Sequence, residues 1–263
     1  LDAVMKHLLS LKEDMGPTLE LAASLKFPAF ERPTEYVALV SDSGEYPFLL
    51  GDIGSTEGVR VKPQDYKKVL TEYIDKRSSA KFAKMKKESY AVGSLSRFKL
   101  NHKKLLPDAQ KVAAQVGLKP DCVNPYMNTV AQLVECVHCL EDAIAIVKKL
   151  QSGGVNYDEE ILVGVNEKKN IPVRAGRGVG AVEVPRGLLI HDYEVDERGL
   201  IKSANCIIPT NQNISNIEYD MQKLAPEIIK KPQDEIRLAM EMLVRAYDPC
   251  ISCSAHYLDV KFV

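Results

Sequence analysis

The chain has 263 residues, 45% of them apolar and 27% charged, which is enough to bury a full core in one or two domains. Its 35 basic and 36 acidic residues leave a net charge of −1, so the balance gives no reason to expect nucleic acid or an anionic membrane as a partner. No stretch of about 18 apolar residues is present to cross a bilayer, and no basic-then-apolar signal peptide opens the sequence.

Taken in chain order, the pattern predicts two short helices, Leu1 to Asp14 and Thr18 to Leu25, broken by Gly16-Pro17. A start at Leu1 rather than methionine predicts a piece of something longer. "TEYVALVSDSGEYPFLLGD" reads as a hairpin, with strands at Tyr36 to Val40 and Pro47 to Leu50 around a Ser-Asp-Ser-Gly turn. A helix is expected from Pro63 to Asp75, since proline suits the first helical position. The basic run Lys76 to Lys87 reads as a solvated helix face or loop. Another helix should run from Pro107 to Gln115 and stop near Gly117.

The longest helix is predicted from Pro125 to Leu150, with Val130, Leu133, Val134, Val137, Leu140, Ile144, Val147 and Leu150 on one apolar face. "RAGRGVGAVEVPRG" (Arg174 to Gly187) is too glycine-rich for a helix. It is no phosphate-binding fingerprint either, lacking a strand before and a helix after, and its plain reading is a close-packed turn ending in an extended Val184-Pro185. A second hairpin follows, Leu188 to Val195 and Leu200 to Ile208, turning at Asp196 to Gly199. Helices are expected at Asn216 to Leu224 and Pro232 to Tyr247, the second burying Ile236, Met240, Leu243 and Val244. The fold class is therefore mainly α with small antiparallel hairpins (α+β). It divides into a helix-rich half (1–150) with one hairpin and a hairpin-plus-motif half (151–263) within a single unit.

Six cysteines without a secretory signal point to a reducing, cytoplasmic compartment. Four form C-x-x-C pairs. Cys136 and Cys139 border the apolar stripe of the long helix, where buried core thiols are a better reading than a metal pair. Cys250 and Cys253 instead follow Asp248-Pro249, a turn-forming step in which Asp248 can cap the next backbone N–H groups. His256 lies three residues on, and thiolates with an imidazole suit zinc, nickel or iron. A closed zinc site made from both pairs is disfavoured, because their separation far exceeds the ~15–20 residues usual between knuckles.

"DPCISCSAH" resembles the C-terminal D-P-C-x-x-C-x-x-H motif of nickel-iron hydrogenase large subunits. "EVPRG" (Glu183 to Gly187) is similar to that family's E-x-P-R-G segment, "CIIPTNQN" (Cys206 to Asn213) to its P-T/S segment, and "YAVGSLSRFKLN" (Tyr90 to Asn101) to a stretch before its long helices. The style is most like the cytosolic deazaflavin-reducing, viologen-reducing and sulfur-linked group. The resemblance implies a nickel-iron centre carrying cyanide and carbon monoxide, held by four thiolates, with a magnesium or second iron ion nearby. Cys250 would be a terminal nickel ligand and Cys253 a bridging one. Arg186 would sit over the open metal position and donate to a cyanide, and Thr210 would serve the other. Pro185, Ile208 and Pro209 would wall the diatomic ligands, while His256 and the backbone carbonyl of Cys206 would hold the hard metal.

The same resemblance implies reversible heterolytic oxidation of dihydrogen, electron transfer to an iron-sulfur small subunit, and help from nickel-insertion proteins. A maturation endopeptidase would cut between His256 and Tyr257, so the residues after His256 read as an uncut precursor end. The family's N-terminal R-x-C-G-x-C motif, with the other two nickel thiolates and nearby acidic residues, is missing from this sequence. The expectation is thus the C-terminal portion of a large subunit, inactive alone. The alternatives are a hydrogenase-related electron-transfer scaffold without the metal site, which Cys250 and Cys253 oppose, and a zinc-binding structural protein.

Overall fold

A computed structural model describes residues 1–76, 78–154 and 173–250. Among these residues six helices run: α1 (Asp2–Ser24), α2 (Ser94–Asn101), α3 (Pro107–Gln115), α4 (Met127–Gly153), α5 (Pro209–Ile228) and α6 (Gln233–Ala246). Three small sheets accompany them. The first is ordered β3 (Arg60–Val61), β2 (Asp52–Ser55), β1 (Glu35–Val40), β6 (Tyr90–Ala91), with only the β1–β6 pair parallel. The second is the hairpin β4 (Thr71–Ile74) and β5 (Lys81–Lys84). The third is the antiparallel meander β7 (Gly176–Val184), β8 (Gly187–Val195) and β9 (Ile201–Ile207). The α+β expectation holds, as do the helices at Pro107 and Pro232 and the Leu188–Ile208 hairpin.

Two apolar cores form. One joins the helices through Phe98, Val130, Val134, Ile217, Leu224, Ile236 and Leu243. The other lies under the sheets, with Val37, Leu39, Ile53, Tyr66, Leu188, Ile190 and Ile207. Each strand contributes alternate residues, so Leu188, Ile190 and Asp192 of β8 face inward while His191 and Tyr193 face out.

Several local expectations are corrected. The N-terminal pair is one helix, α1, running through Pro17. No residue of α1 is buried, so the carbonyl that loses its N–H partner at Pro17 stays solvated, and the Thr18 hydroxyl donates to the Asp14 carbonyl at 3.2 Å. The partner of β1 is Asp52–Ser55 rather than Pro47–Leu50, with Val40 opposite Asp52. The chain at Tyr46–Phe48 is needed elsewhere: Tyr46 is buried, and the Phe48 carbonyl accepts from the Glu183 N–H at 2.7 Å.

The expected helix at Pro63 shortens to a 3-10 turn, Pro63–Lys68, before the β-favouring Thr71–Ile74 pairs with Lys81–Lys84. The basic run therefore contains a strand with buried Phe82 and Ala83. "GRGVGAVEV" is likewise a regular strand and not a turn. Helix α5 begins at Pro209 instead of Asn216, and its proline needs no N–H at that position. Finally, Cys136 and Cys139 are exposed, not core. α4 turns Glu135 and His138 inward instead, because Arg97 and the Leu106 N–H offer them partners, the latter donating to His138 Nδ1 at 3.2 Å.

Candidate metal centre

The Pro185-Arg186 segment is the two-residue tip of the β7–β8 hairpin, closed by the pair Val184 and Gly187. Gly187 has φ +129°, and a Cβ there would lie 2.6 Å from Val92 Cγ2 and 2.8 Å from the Gly93 nitrogen. Gly93 itself has φ +120° and faces the Arg186 carbonyl. The two glycines let the hairpin tip lie directly against the start of α2.

From below, the tip is held by Arg97 of α2, 2% exposed. Its guanidinium donates to the carbonyls of Val184 at 3.0 Å and Pro185 at 3.1 Å. It also makes two 2.7 Å bonds to the Glu135 carboxylate and one of 2.9 Å to Glu183. Glu183 in turn accepts the Leu39 N–H at 2.7 Å, while Tyr46 and Ser94 donate to Glu135. Burial pushes the Glu183 carboxyl above its ordinary value, and the adjacent Arg97 charge opposes that shift. Burial alone would lower the Arg97 pKa, but Glu135 and Glu183 raise it on balance, so the guanidinium stays charged. This buried triad has every partner it needs, which is the condition for placing charge in a core.

On the other side of the tip, Arg186 reaches toward the end of α6. Its Nε donates to the Asp248 carbonyl at 2.7 Å and lies 3.4 Å from Asp248 Oδ2. Asp248 has φ 49°, a left-handed conformation that aspartate tolerates. Its carboxylate accepts from Gln132 at 3.4 Å. The N–H of Cys250, which the sequence offered to that carboxylate, goes instead to Thr210 Oγ1 at 3.1 Å. Thr210 is buried in the first turn of α5, next to buried Pro209 and half-buried Ile208. Pro185 is exposed.

Beneath the motif, α5 presents a buried polar row to the sheets and to Tyr247. Asn213 accepts the Val92 N–H at 2.9 Å and donates to the Val92 carbonyl at 3.2 Å. Asn216 accepts from Thr34 and Ser89 at 2.7 and 2.8 Å and donates to the Tyr247 hydroxyl at 2.6 Å. Tyr247 donates to Asp220, which also pairs with Arg32. Burial raises both the Asp220 carboxyl and the Tyr247 phenol, with the Arg32 charge lowering the former and Asp220 raising the latter further. From α4, Asn128 donates to the Ala246 carbonyl at 2.9 Å and accepts the Leu95 N–H at 3.0 Å. The last turn before Asp248 is thus tied to α4 and α5.

The structure therefore brings Arg186, Thr210 and Cys250 together. Cys253, His256 and the His256–Tyr257 junction lie outside the described residues. Among the described residues no three His, Cys, Asp or Glu side chains converge as a metal group. The Cys206 backbone lies in β9, while its thiol points to the outer face of the sheet, 3.4 Å from the Tyr193 hydroxyl. Arg97 and Glu135 were missed by sequence reasoning: an arginine on one helix and a glutamate on another carry no signal of pairing until the fold joins them.

The chemistry of the described donors fits half of a thiolate-held centre. One motif cysteine, Cys250, has its backbone pinned by a buried hydroxyl, and a guanidinium bonds Asp248 two residues before it. Arg186 uses one of its five N–H donors on Asp248, and the Thr210 hydroxyl can still donate its hydrogen.

Comparison with known proteins follows the same lines. The profile of a family described as nickel-dependent hydrogenase matches residues 55–256. The chain is 34% identical over 214 residues to an F420-non-reducing hydrogenase subunit of Methanothermobacter thermautotrophicus, covering 75% of this chain and 42% of that protein. It is 30% identical over 245 residues to the alpha subunit of sulfhydrogenase 1 from Pyrococcus furiosus, covering 91% and 54% respectively. Among solved structures, an NAD+-reducing NiFe hydrogenase in the H2-reduced state aligns with TM-score 0.65 and 26% identity, over 97% of this chain and 56% of that one. A Dm. baculatum NiFeSe hydrogenase shares the fold with TM-score 0.58 at 17% identity, over 97% of this chain and 58% of that one. The chain spans about half the length of these relatives.

Proposed function

Because this chain belongs to the nickel-dependent hydrogenase family, we propose that it forms part of the catalytic large subunit of a nickel-iron hydrogenase, reversibly oxidising dihydrogen. The observation that carries the reading is the meeting of Arg186, Thr210 and Cys250 at the junction of hairpin tip, α5 and the end of α6. Cys250 and Cys253 would hold nickel, with His256 and the Cys206 carbonyl at the hard metal. The bimetallic group, when bound with its cyanide and carbon monoxide ligands, supplies heterolytic cleavage of dihydrogen.

The chain's own residues do the positioning. Thr210 accepts the Cys250 N–H and thereby fixes the backbone from which the Cys250 side chain departs. Asp248 anchors the Nε of Arg186, which leaves the other guanidinium N–H groups to donate elsewhere. The Arg97–Glu135–Glu183 triad keeps the hairpin tip from shifting, so these donors stay aimed without reorganising. Electrons would leave through an iron-sulfur small subunit, which matches relatives that are themselves named as single subunits of hydrogenases. Nickel insertion and cutting after His256 would complete assembly. Among the described residues no helix is long and apolar enough to cross a membrane.

The test is metal content and infrared spectra of the complex purified with its partner subunits. Stoichiometric nickel and bands from bound cyanide and carbon monoxide are expected, and Cys250→Ala should abolish nickel uptake. Zinc alone, or nickel uptake indifferent to Cys250→Ala, refutes the reading.

A further inference from the structure

Away from that junction, the outer face of the three-stranded sheet gathers three side chains with metal-binding chemistry. His191 and Tyr193 are two apart on β8 and so share a face, and the register sets Cys206 of β9 directly opposite His191. Their polar atoms converge. His191 Nδ1 lies 3.0 Å from the Tyr193 hydroxyl, which lies 3.4 Å from Cys206 Sγ, and Sγ lies 3.8 Å from Nδ1. All three residues are half-buried.

A tetrahedral ion bound at ~2.0–2.3 Å by nitrogen, oxygen and sulfur separates its donors by roughly 3.3–3.6 Å. The observed separations, 3.0, 3.4 and 3.8 Å, bracket that range, so side-chain adjustments of a few tenths of an ångström would place one ion just above the triangle. The same face is open beside the cluster. Gly178 pairs with Tyr193 and Gly180 with His191, and a Cβ at either glycine would meet nothing within 4 Å. That leaves room for water or another donor at a fourth position.

We propose that His191 Nδ1, the Tyr193 hydroxyl oxygen and Cys206 Sγ bind one borderline divalent cation of the zinc, cobalt and nickel class. Imidazole and thiolate together select this class over magnesium or calcium. The site uses the Cys206 side chain, not its backbone carbonyl, and does not depend on the hydrogenase reading.

Cobalt(II) titration of the full chain, kept reduced, tests it. With Cys122, Cys136, Cys139, Cys250 and Cys253 replaced by serine, Cys206 is the sole thiol. One cobalt per chain should bind with a thiolate charge-transfer band, and His191→Ala should weaken binding by about tenfold or more. Zinc should displace the cobalt. Circular dichroism reports whether this background folds. If it does not, Cys206→Ser and His191→Ala in the otherwise native chain must each lower the cobalt count by one. Absence of saturable binding, or a band unchanged by His191→Ala, overturns the proposal.

Discussion

Replacing Arg97 by methionine is the sharpest test of how the hairpin tip is held. The substitution keeps most of the apolar stem but removes a guanidinium that bonds two carboxylates and two carbonyls. Breaking a buried ion pair from one side costs about 3–5 kcal/mol, because the remaining charge is left uncompensated. Each carbonyl orphaned at Val184 and Pro185 adds up to about 1–3 kcal/mol if water does not reach it. Partial relaxation makes about 4–6 kcal/mol the expected total, a large share of the ~5–15 kcal/mol by which domains are stable.

Urea unfolding followed by circular dichroism measures it, and the pH dependence checks the cause. Glu183 already has a folded-state pKa above its ordinary 4.5, through burial, and it loses the charge that opposes this shift. A carboxyl with a raised folded pKa contributes its full stability below the unfolded value and loses it as pH rises through the folded one. The deficit of Arg97→Met relative to the native chain should therefore shrink between pH 8 and pH 5. Adding Glu135→Gln and Glu183→Gln, so that no unpaired charge remains, should recover at least half of it. A loss below about 1.5 kcal/mol, or a deficit flat with pH, would refute the argument that Arg97 is an obligatory buried counter-charge.

Gly187→Ala should destabilise the fold by about 2–4 kcal/mol, since φ +129° is strained for alanine and its Cβ would strike Val92, which urea unfolding will show. Thr210→Val should cost about 1 kcal/mol and speed amide exchange at Cys250, while Thr210→Ser should leave both nearly unchanged. Asp192 is held below its ordinary 3.8 by hydrogen bonds from Arg177, Lys67 and Tyr66. Its stabilisation is thus present above pH 3.8 and lost as pH falls toward the depressed value, so acid unfolding of Asp192→Asn should show a shallower pH dependence.

Where local pattern and tertiary demand agree, the sequence was legible. The apolar spacing of α6 and the turn residues at Asp196–Gly199 placed those elements within a residue or two. Reading failed where a long-range partner overrode the local signal. Phe48 lost its place beside β1 because β7 uses its carbonyl. The apolar face of α4 was read correctly at Val130, Val134, Val137, Ile144 and Val147, but Glu135 and His138 join it where Cys136 and Cys139 were expected. The glycines of β7 hid a strand, since alternation cannot be seen where side chains are missing. The motif residues Arg186, Thr210 and Cys250 were recognisable by resemblance, and the structure shows the Cys250 N–H on Thr210 and Arg186 on Asp248. Arg97, Glu135 and the α5 polar row were not, because a buried polar network exists only between elements far apart in sequence.

The contact between Gly93 and Gly187 has a mechanical consequence. The start of α2 and the base of the Arg186 tip approach closely, with main-chain atoms of Gly93 and Arg186 and the stiff β-branched side chain of Val92 at the contact. With so little rotatable side chain at the joint, it acts as a stop. Side-chain repacking elsewhere in the helical core can then change how firmly the stop is pressed, but not where it stands. The placement of the Arg186 backbone should therefore tolerate substitutions in distant core layers that leave the fold intact, and fail abruptly when either glycine gains a side chain.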